Sequence, residues 1–218
     1  MLSITEENYL KAIFKLSEKN RKNISTNNIA AETKTSAASV SDMIRKLSEK
    51  KLVHYEKYHG VQLTDKGKKN AVGLIRRHRL WEVFLVEKLN FTWDQIHDIA
   101  EELEHVSSPL LISRLNEFLG SPKFDPHGDP IPDENGKIVY HEETTLDQLQ
   151  ENEKAVIVGV ADQSTSFLQY LDQQQLQIYN KLEVLEHHGY DNSKTISIKN
   201  KKIFLSEKVA KNLVVKKV

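Results

Sequence analysis

Three stretches near the N-terminus, Ile4 to Lys19, Ser25 to Thr33 and Ala37 to Glu49, place apolar residues at helical spacing, and only Lys34-Thr35-Ser36 separates the last two. The first carries Ile4, Tyr9, Ala12, Ile13 and Leu16 on one side. Ser25 or Thr26 can cap the second through Ile29, Ala30 and Ala31, and the third buries Val40, Ile44 and Leu47. Two short helices joined by so tight a turn predict a helix-turn-helix. Leu52 to Thr64 then gives two β-type runs around a polar His59-Gly60 turn, a hairpin or wing. Thr64 or Asp65 caps a long helix that runs through Arg76-Arg77-His78-Arg79 to about Leu89.

The rest of the chain changes character twice. Residues 94–106 and 108–119 read as two more helices, ended by Gly120 with Pro122 beyond it. Ser121 to Glu143 holds Pro122, Pro126, Pro130 and Pro132 out of five prolines, so a linker or an irregular ordered loop belongs there. Beyond it come β-branched runs at 155–160, 181–185, 195–198 and 202–205, with a helix-like 165–172, which predict a small β-barrel. The expected architecture is mainly α: a winged helix-turn-helix over 1–66, a helical region over 67–143 and a small β-domain over 144–218.

Charge divides along the same lines. The 218 residues carry 31 basic and 31 acidic groups, yet residues 1–80 hold 17 against 8 and residues 81–153 hold 4 against 17. A basic first third beside an acidic middle suits a polyanion-binding module followed by a cation-binding one. Cysteine is absent, which removes disulfides, thiolate metal sites and cysteine nucleophiles and leaves oxygen and nitrogen ligands. No apolar run approaches the ~20 residues of a membrane span, so a cytoplasmic protein with no membrane partner is expected.

Two constellations carry chemistry. Helix 37–49 opens on small residues, Ser36, Ala37, Ala38, Ser39 and Ser41, which let a helix N-terminus approach phosphate or base edges. Arg45 and Lys46 supply backbone contacts, the wing adds Lys57 and Tyr58, and Thr26 joins them from the preceding helix. The second constellation is metal-like. His78 and Glu82 stand four apart on one helix, His97 and Glu101 four apart on the next, and Glu101, Glu104 and His105 share a face there. Imidazoles and carboxylates without a thiolate suit manganese or iron(II) better than a closed zinc site.

Several runs resemble one family. Thr5 to Ile13, the helix start at Ser36 to Ser41, Leu63-Thr64-Asp65-Lys66-Gly67, Arg77-His78-Arg79-Leu80, Glu104-His105-Val106 and Pro126-His127-Gly128 with Pro130-Ile131-Pro132 are similar to the diphtheria-toxin-repressor family of metal-dependent transcription factors. The likeness covers almost the whole chain, including a C-terminal domain similar to the SH3-like modules of ferrous-iron transport proteins. It implies a homodimer that binds palindromic double-stranded DNA operators when metal-filled and represses metal uptake. By position it implies a regulatory site of Glu101, Glu104 and His105 with a contribution from Asn8, and a neighbouring site of His78, Glu82 and His97. Glu at 101 resembles the manganese branch, where iron-responsive members have sulfur; manganese is therefore the expected ion, then iron(II), with zinc and other divalent ions able to bind in vitro.

Two positions depart from the family pattern. Asn8, and Lys11 after it, stand where manganese-responsive members carry carboxylates. Asp125 stands where close relatives have Cys, in a second site that would also use Glu82, His127 and Asp162 as its C-terminal acid. A winged-helix regulator that senses an organic ligand or a partner protein is the main alternative. A metallohydrolase is another, although no HExxH run, nucleophile elbow or phosphate loop accompanies the histidines.

Overall fold

The structure is a computed structural model and describes residues 2–19, 24–56, 60–140 and 144–218. The chain divides into two compact units. One comprises Met1–His78, Glu102–Ile112 and Pro132–Ile138; the other comprises Arg79–Glu101, Ser113–Ile131 and Val139–Val218.

In the first unit, α1 (Ile4–Lys19), α2 (Thr26–Thr33) and α3 (Ala37–Glu49) precede a hairpin of β1 (Val53–Glu56) and β2 (Gly60–Leu63) and the start of α4 (Asp65–Leu89). Each helix starts where a side chain can satisfy the orphan N–H groups of a first turn. Ser3 Oγ accepts from Glu6 N while Glu6 Oε2 accepts from Ser3 N, a capping box directly ahead of α1. Ser25 caps α2 through Asn28 N, and Ser36 caps α3 through Ser39 N. Between them Lys34 adopts φ 53° as a left-handed C-cap, and Tyr9 Oη meets Thr35 Oγ1 at 2.9 Å, which fixes the turn to α1.

Val40, Ile44 and Leu47 of α3 are buried with Leu10, Ile13, Ile29, Leu52 and Val61 in one core. The hairpin pairs Val53 with Leu63 through to Glu56 with Gly60, and Ile24 O accepts from Val61 N to add a third extended segment. Gly67 follows the Thr64 cap of α4 because a Cβ there would lie 2.0 Å from Leu52 O. Lys57 and Tyr58 lie outside the described residues.

The helix anticipated over 94–106 is shorter, α5 at Ile96–Leu103. Val106 N turns back to Leu103 O, and Pro109 opens α6 (Pro109–Phe118) with Ser108 at its cap. Proline at a first helical position disfavours helix in the residue before it, so the two helices cannot run together. Glu104 and His105 therefore sit in a turn, off the helix that was expected to align them with Glu101.

The second unit contains the rest of α4, most of α5 and an antiparallel sheet of six strands in the order β3-β8-β4-β5-β6-β7. These are β3 (Thr144–Thr145), β4 (Lys154–Val160), β5 (Lys181–His188), β6 (Ser193–Ile198), β7 (Lys201–Leu205) and β8 (Leu213–Lys217), with α7 (Thr165–Gln173) and α8 (Glu207–Asn212) between strands. Alternate residues Leu182 and Val184, Ile196 and Ile198, and Leu213 and Val215 enter its core, where Trp93 packs from the α4–α5 connection. The fold is the expected one: a winged-helix N-terminus, a helical middle and an SH3-like C-terminal domain.

Candidate metal centre and nucleic-acid interface

In the second unit, α4 contributes Glu82 and the segment Phe124–Pro130 contributes Asp125 and His127. All three are buried, and each offers a ligand atom within 4.8 Å of the others. The loop is built to hold them. Asp125 Oδ1 accepts from His127 N at 2.8 Å and from Asp129 N at 2.9 Å, and Asp125 N donates to Asp129 O. Gly128 takes φ 91° where a Cβ would lie 2.0 Å from Val158 O, and Val160 N donates to His127 O, so the loop lies directly on β4. Arg79 closes it from α4, its guanidinium donating to Pro130 O and standing 3.5 Å from both Asp125 Oδ2 and Asp129 Oδ2.

Electrostatics there favour a divalent cation. Burial, then the Glu82 and Asp129 carboxylates, push the Asp125 carboxyl up to about 8 from 3.8, against the opposing pull of Arg79 and His127. Burial tends to lower His127, but its contact with Glu82 and the charge of Asp125 outweigh burial and raise it. Two carboxylates forced together in a desolvated pocket repel, and two positive charges between them would relieve that repulsion. His127 Nε2 stands 3.4 Å from Trp93 O and Nδ1 3.7 Å from Glu82 Oε1. A proton on Nε2 donated to the carbonyl leaves the Nδ1 lone pair aimed at the carboxylates, the arrangement a ligating imidazole needs. The donors fit a hard or borderline divalent ion such as manganese(II) or iron(II).

His97 borders this set, with Nδ1 3.8 Å from Glu82 Oε1 and Nε2 3.6 Å from Glu101 Oε1, and both His97 and Glu101 are about half exposed. Asp162 does not join it; its Oδ1 accepts from Ser164 N at the start of α7. His78 lies one helical turn before Glu82 on α4 but belongs to the first unit.

The first unit contains a separate polar cluster. Glu104 is fully buried, with Lys11 Nζ 2.6 Å from Oε1 and His78 Nδ1 2.6 Å from Oε2. Burial alone would raise its carboxyl, but His78 and Lys11 together hold it below the ordinary value. Glu7 bridges Arg77 Nη2 at 3.0 Å and His105 Nδ1 at 2.6 Å, and Arg77 Nε also donates to Glu104 O. Asn8 Oδ1 is buried and meets no hydrogen-bond partner among the described residues. As arranged, Lys11 and His78 engage both Glu104 oxygens, so this set does not fit a metal ion. Glu7 and Arg77, and Arg79 in the other unit, had no assigned role from the sequence. Glu7 and Lys11 stand i, i+4 on α1, and that spacing was the available sign of a shared face.

The candidate nucleic-acid surface has no such complication. Ser36, Ala37, Ala38, Ser39 and Ser41 are exposed at the start of α3, as are Arg45 and Lys46, and Thr26 is half-buried at the start of α2. The Ser41 hydroxyl donates back to Ala37 O, and Arg45 stands 3.7 Å from Asp42 in an exposed pair.

Comparison with known proteins places these features in context. Residues 1–61 match the model of the iron dependent repressor N-terminal DNA binding domain, residues 64–133 that of the iron dependent repressor metal binding and dimerisation domain, and residues 144–217 the FeoA domain. A manganese-dependent transcriptional repressor solved in complex with manganese is 32% identical, covers 98% of this chain and 100% of its own, and superposes with a TM-score of 0.81. The manganese regulator SloR is 37% identical over 98% of each chain, with a TM-score of 0.70. The iron-dependent repressor IdeR of Mycobacterium leprae is 32% identical over 128 residues, 59% of this chain and 55% of IdeR. The chain spans about half, or less, of the length of the first curated relatives it matches.

Proposed function

This chain belongs to the iron-dependent repressor family, and from that premise we propose that it is a metal-dependent DNA-binding transcriptional repressor, active as a homodimer and switched by manganese(II) or iron(II). The observation that carries the proposal is the buried set Glu82, Asp125 and His127, whose crowded carboxylates call for a cation. When bound, the ion supplies the two positive charges that this desolvated pocket lacks. Glu82 and the 125–127 loop hold it, Arg79 and β4 keep the loop in place, and His97 borders it as an auxiliary donor. An oxygen-rich, thiolate-free set selects manganese(II) or iron(II), and zinc and other divalent ions are expected to bind in vitro.

Helix α4 begins directly after the wing and also carries Glu82, so the same helix that leaves the DNA-reading module contributes a ligand. Ion binding then favours the arrangement in which two recognition helices meet successive turns of a palindromic operator. The start of α3, with Arg45 and Lys46, reads the DNA, and Lys57 and Tyr58 of the wing join it. Leu110, Leu111 and Phe118 of α6 are exposed, which supports this helix as a dimer face. No helix among the described residues is long and apolar enough to cross a membrane. We assign the protein to the cytoplasm, as a regulator of metal-uptake genes without catalytic activity, in three modules at 1–66, 67–143 and 144–218.

Operator binding measured with manganese(II), iron(II), zinc(II) or EDTA tests this. Tight binding with an ion and at least a hundredfold loss with EDTA is expected, and binding indifferent to chelator would refute it.

A further inference from the structure

The polar cluster of the first unit contains side chains of metal-binding type, not gathered into a ready-made site, beside a group that opposes an ion. Glu104, His105, Glu7 and Asn8 offer two carboxylates, an imidazole and an amide oxygen. Glu104 is fully buried and His105 Nε2 lies 3.7 Å from its Oε1. The Asn8 oxygen is buried and without a hydrogen-bond partner among the described residues, an acceptor left for a cation. Into this set α1 sends a lysine. Lys11 is itself buried, its side chain 8% exposed, and its ammonium takes the Glu104 oxygen that faces His105.

An ammonium and a divalent ion cannot share that oxygen at close range, because their charges repel and neither is screened by water. A buried ion pair also contributes little net stability compared with apolar residues of the same size, so ordinary packing does not call for one here. What Lys11 does supply is a positive charge tied by covalent bonds to α1 and an ion-pair link across 93 residues of sequence to the turn after α5.

We propose that Lys11 is a tethered cation that takes the place of a regulatory ion at Glu104, leaving Glu7, Asn8, Glu104 and His105 as a latent metal site. The link between the first helix of the DNA-binding module and the 104–105 turn is then permanent. Ion sensing falls to the Glu82–Asp125–His127 set alone. Manganese(II) is the probe because the choice of ion rests on the function proposed above, but the outcome at Lys11 is read separately from it.

The experiment counts manganese(II) ions per protomer by equilibrium dialysis and by electron paramagnetic resonance of the unbound ion. Four full-length proteins are compared: wild type, Lys11→Met, Lys11→Arg and Glu104→Gln. Lys11→Met keeps most of the stem volume and removes the charge, and should bind one ion more than wild type, with a manganese-dependent rise in melting temperature larger than that of wild type. Lys11→Arg keeps the charge and should match wild type, as should Glu104→Gln. A Lys11→Met protein that folds and takes up no extra ion would overturn the proposal. So would a Glu104→Gln protein that loses one, and this second comparison decides the matter even where Lys11→Met fails to fold. Adding Asp125→Asn to each background should subtract one ion; if it does not, the metal centre proposed above fails while the comparison at Lys11 still holds.

Discussion

Replacing Asp125 with Asn should make the metal-free protein more stable at neutral pH, and less dependent on pH. The Asp125 carboxyl is pushed from 3.8 to about 8 in the folded chain, so the native state holds a proton that the unfolded state has released. Stability is therefore greatest below the unfolded value and falls as pH rises towards the folded one. Every tenfold difference in proton affinity between the two states corresponds to ~1.4 kcal/mol, so raising the pH from about 5 to about 8 should cost wild type on the order of 4 kcal/mol.

Asn keeps an oxygen to accept from His127 N and Asp129 N, as Oδ1 does now. Whatever it loses opposite Arg79 is independent of pH and leaves the slope unchanged. Urea unfolding in EDTA, followed by tryptophan fluorescence, reads the relevant unit, because Trp81 and Trp93 are the chain's two tryptophans and both lie in it. Wild type should lose stability steeply over that range, while Asp125→Asn should lose markedly less, its remaining slope coming from His127, which Glu82 also raises. Parallel slopes for the two proteins would show that the carboxyl is not held protonated, and the pocket would then be neither repulsive nor in need of a cation.

Manganese(II) must displace protons from the same groups, since Asp125 and His127 are both raised. Its affinity should accordingly climb about tenfold or more per pH unit between pH 6 and 7, measured by calorimetry in two buffers that differ in ionisation enthalpy. A pH-independent affinity would contradict this. Gly128→Ala puts a Cβ against Val158 O at a positive φ and should lower the melting temperature and weaken manganese binding together, with a stability loss of about 3 kcal/mol or more; unchanged calorimetric scans would disprove the close approach. Arg45→Gln or Lys46→Gln should weaken operator binding evenly across sequences and reduce the salt dependence by about one ion each in a fluorescence anisotropy titration, with an unaltered slope counting against phosphate contact.

The N-terminal helices are legible in the sequence because capping residues and apolar spacing agree there: Ser25 and Thr64 cap as their positions suggest, Ser36 of the expected connection caps α3 as well, and Val40, Ile44 and Leu47 face inward. Ser3 is less visible although Ser3 and Glu6 have capping-box spacing, because Thr5 lies closer to an acidic partner in the first turn. Strand β8 and the helix before it are also hidden, since Leu213-Val214-Val215 is short and followed by lysines, and only pairing with β4 makes it a strand. Among site residues, Glu82 with Asp125 and His127 came from resemblance, and no local pattern could join residues 43 positions apart. Helical periodicity placed Glu101, Glu104 and His105 on one face, and the early end of α5 at Leu103 removed the last two from it. What Lys11 faces is set by tertiary packing and could not be read from its neighbours in sequence.

The 125–130 segment rests on β4 through the Val160-to-His127 hydrogen bond and the bare α-carbon of Gly128. Two of the three proposed ligands, Asp125 and His127, are thus positioned by a sheet whose strands come later in the chain. A version of the protein ending before Thr144 would retain the winged helix, Glu82, Asp125 and His127, yet the template that presents Asp125 and His127 would be gone, and with it the ion grip on which the proposed regulation depends.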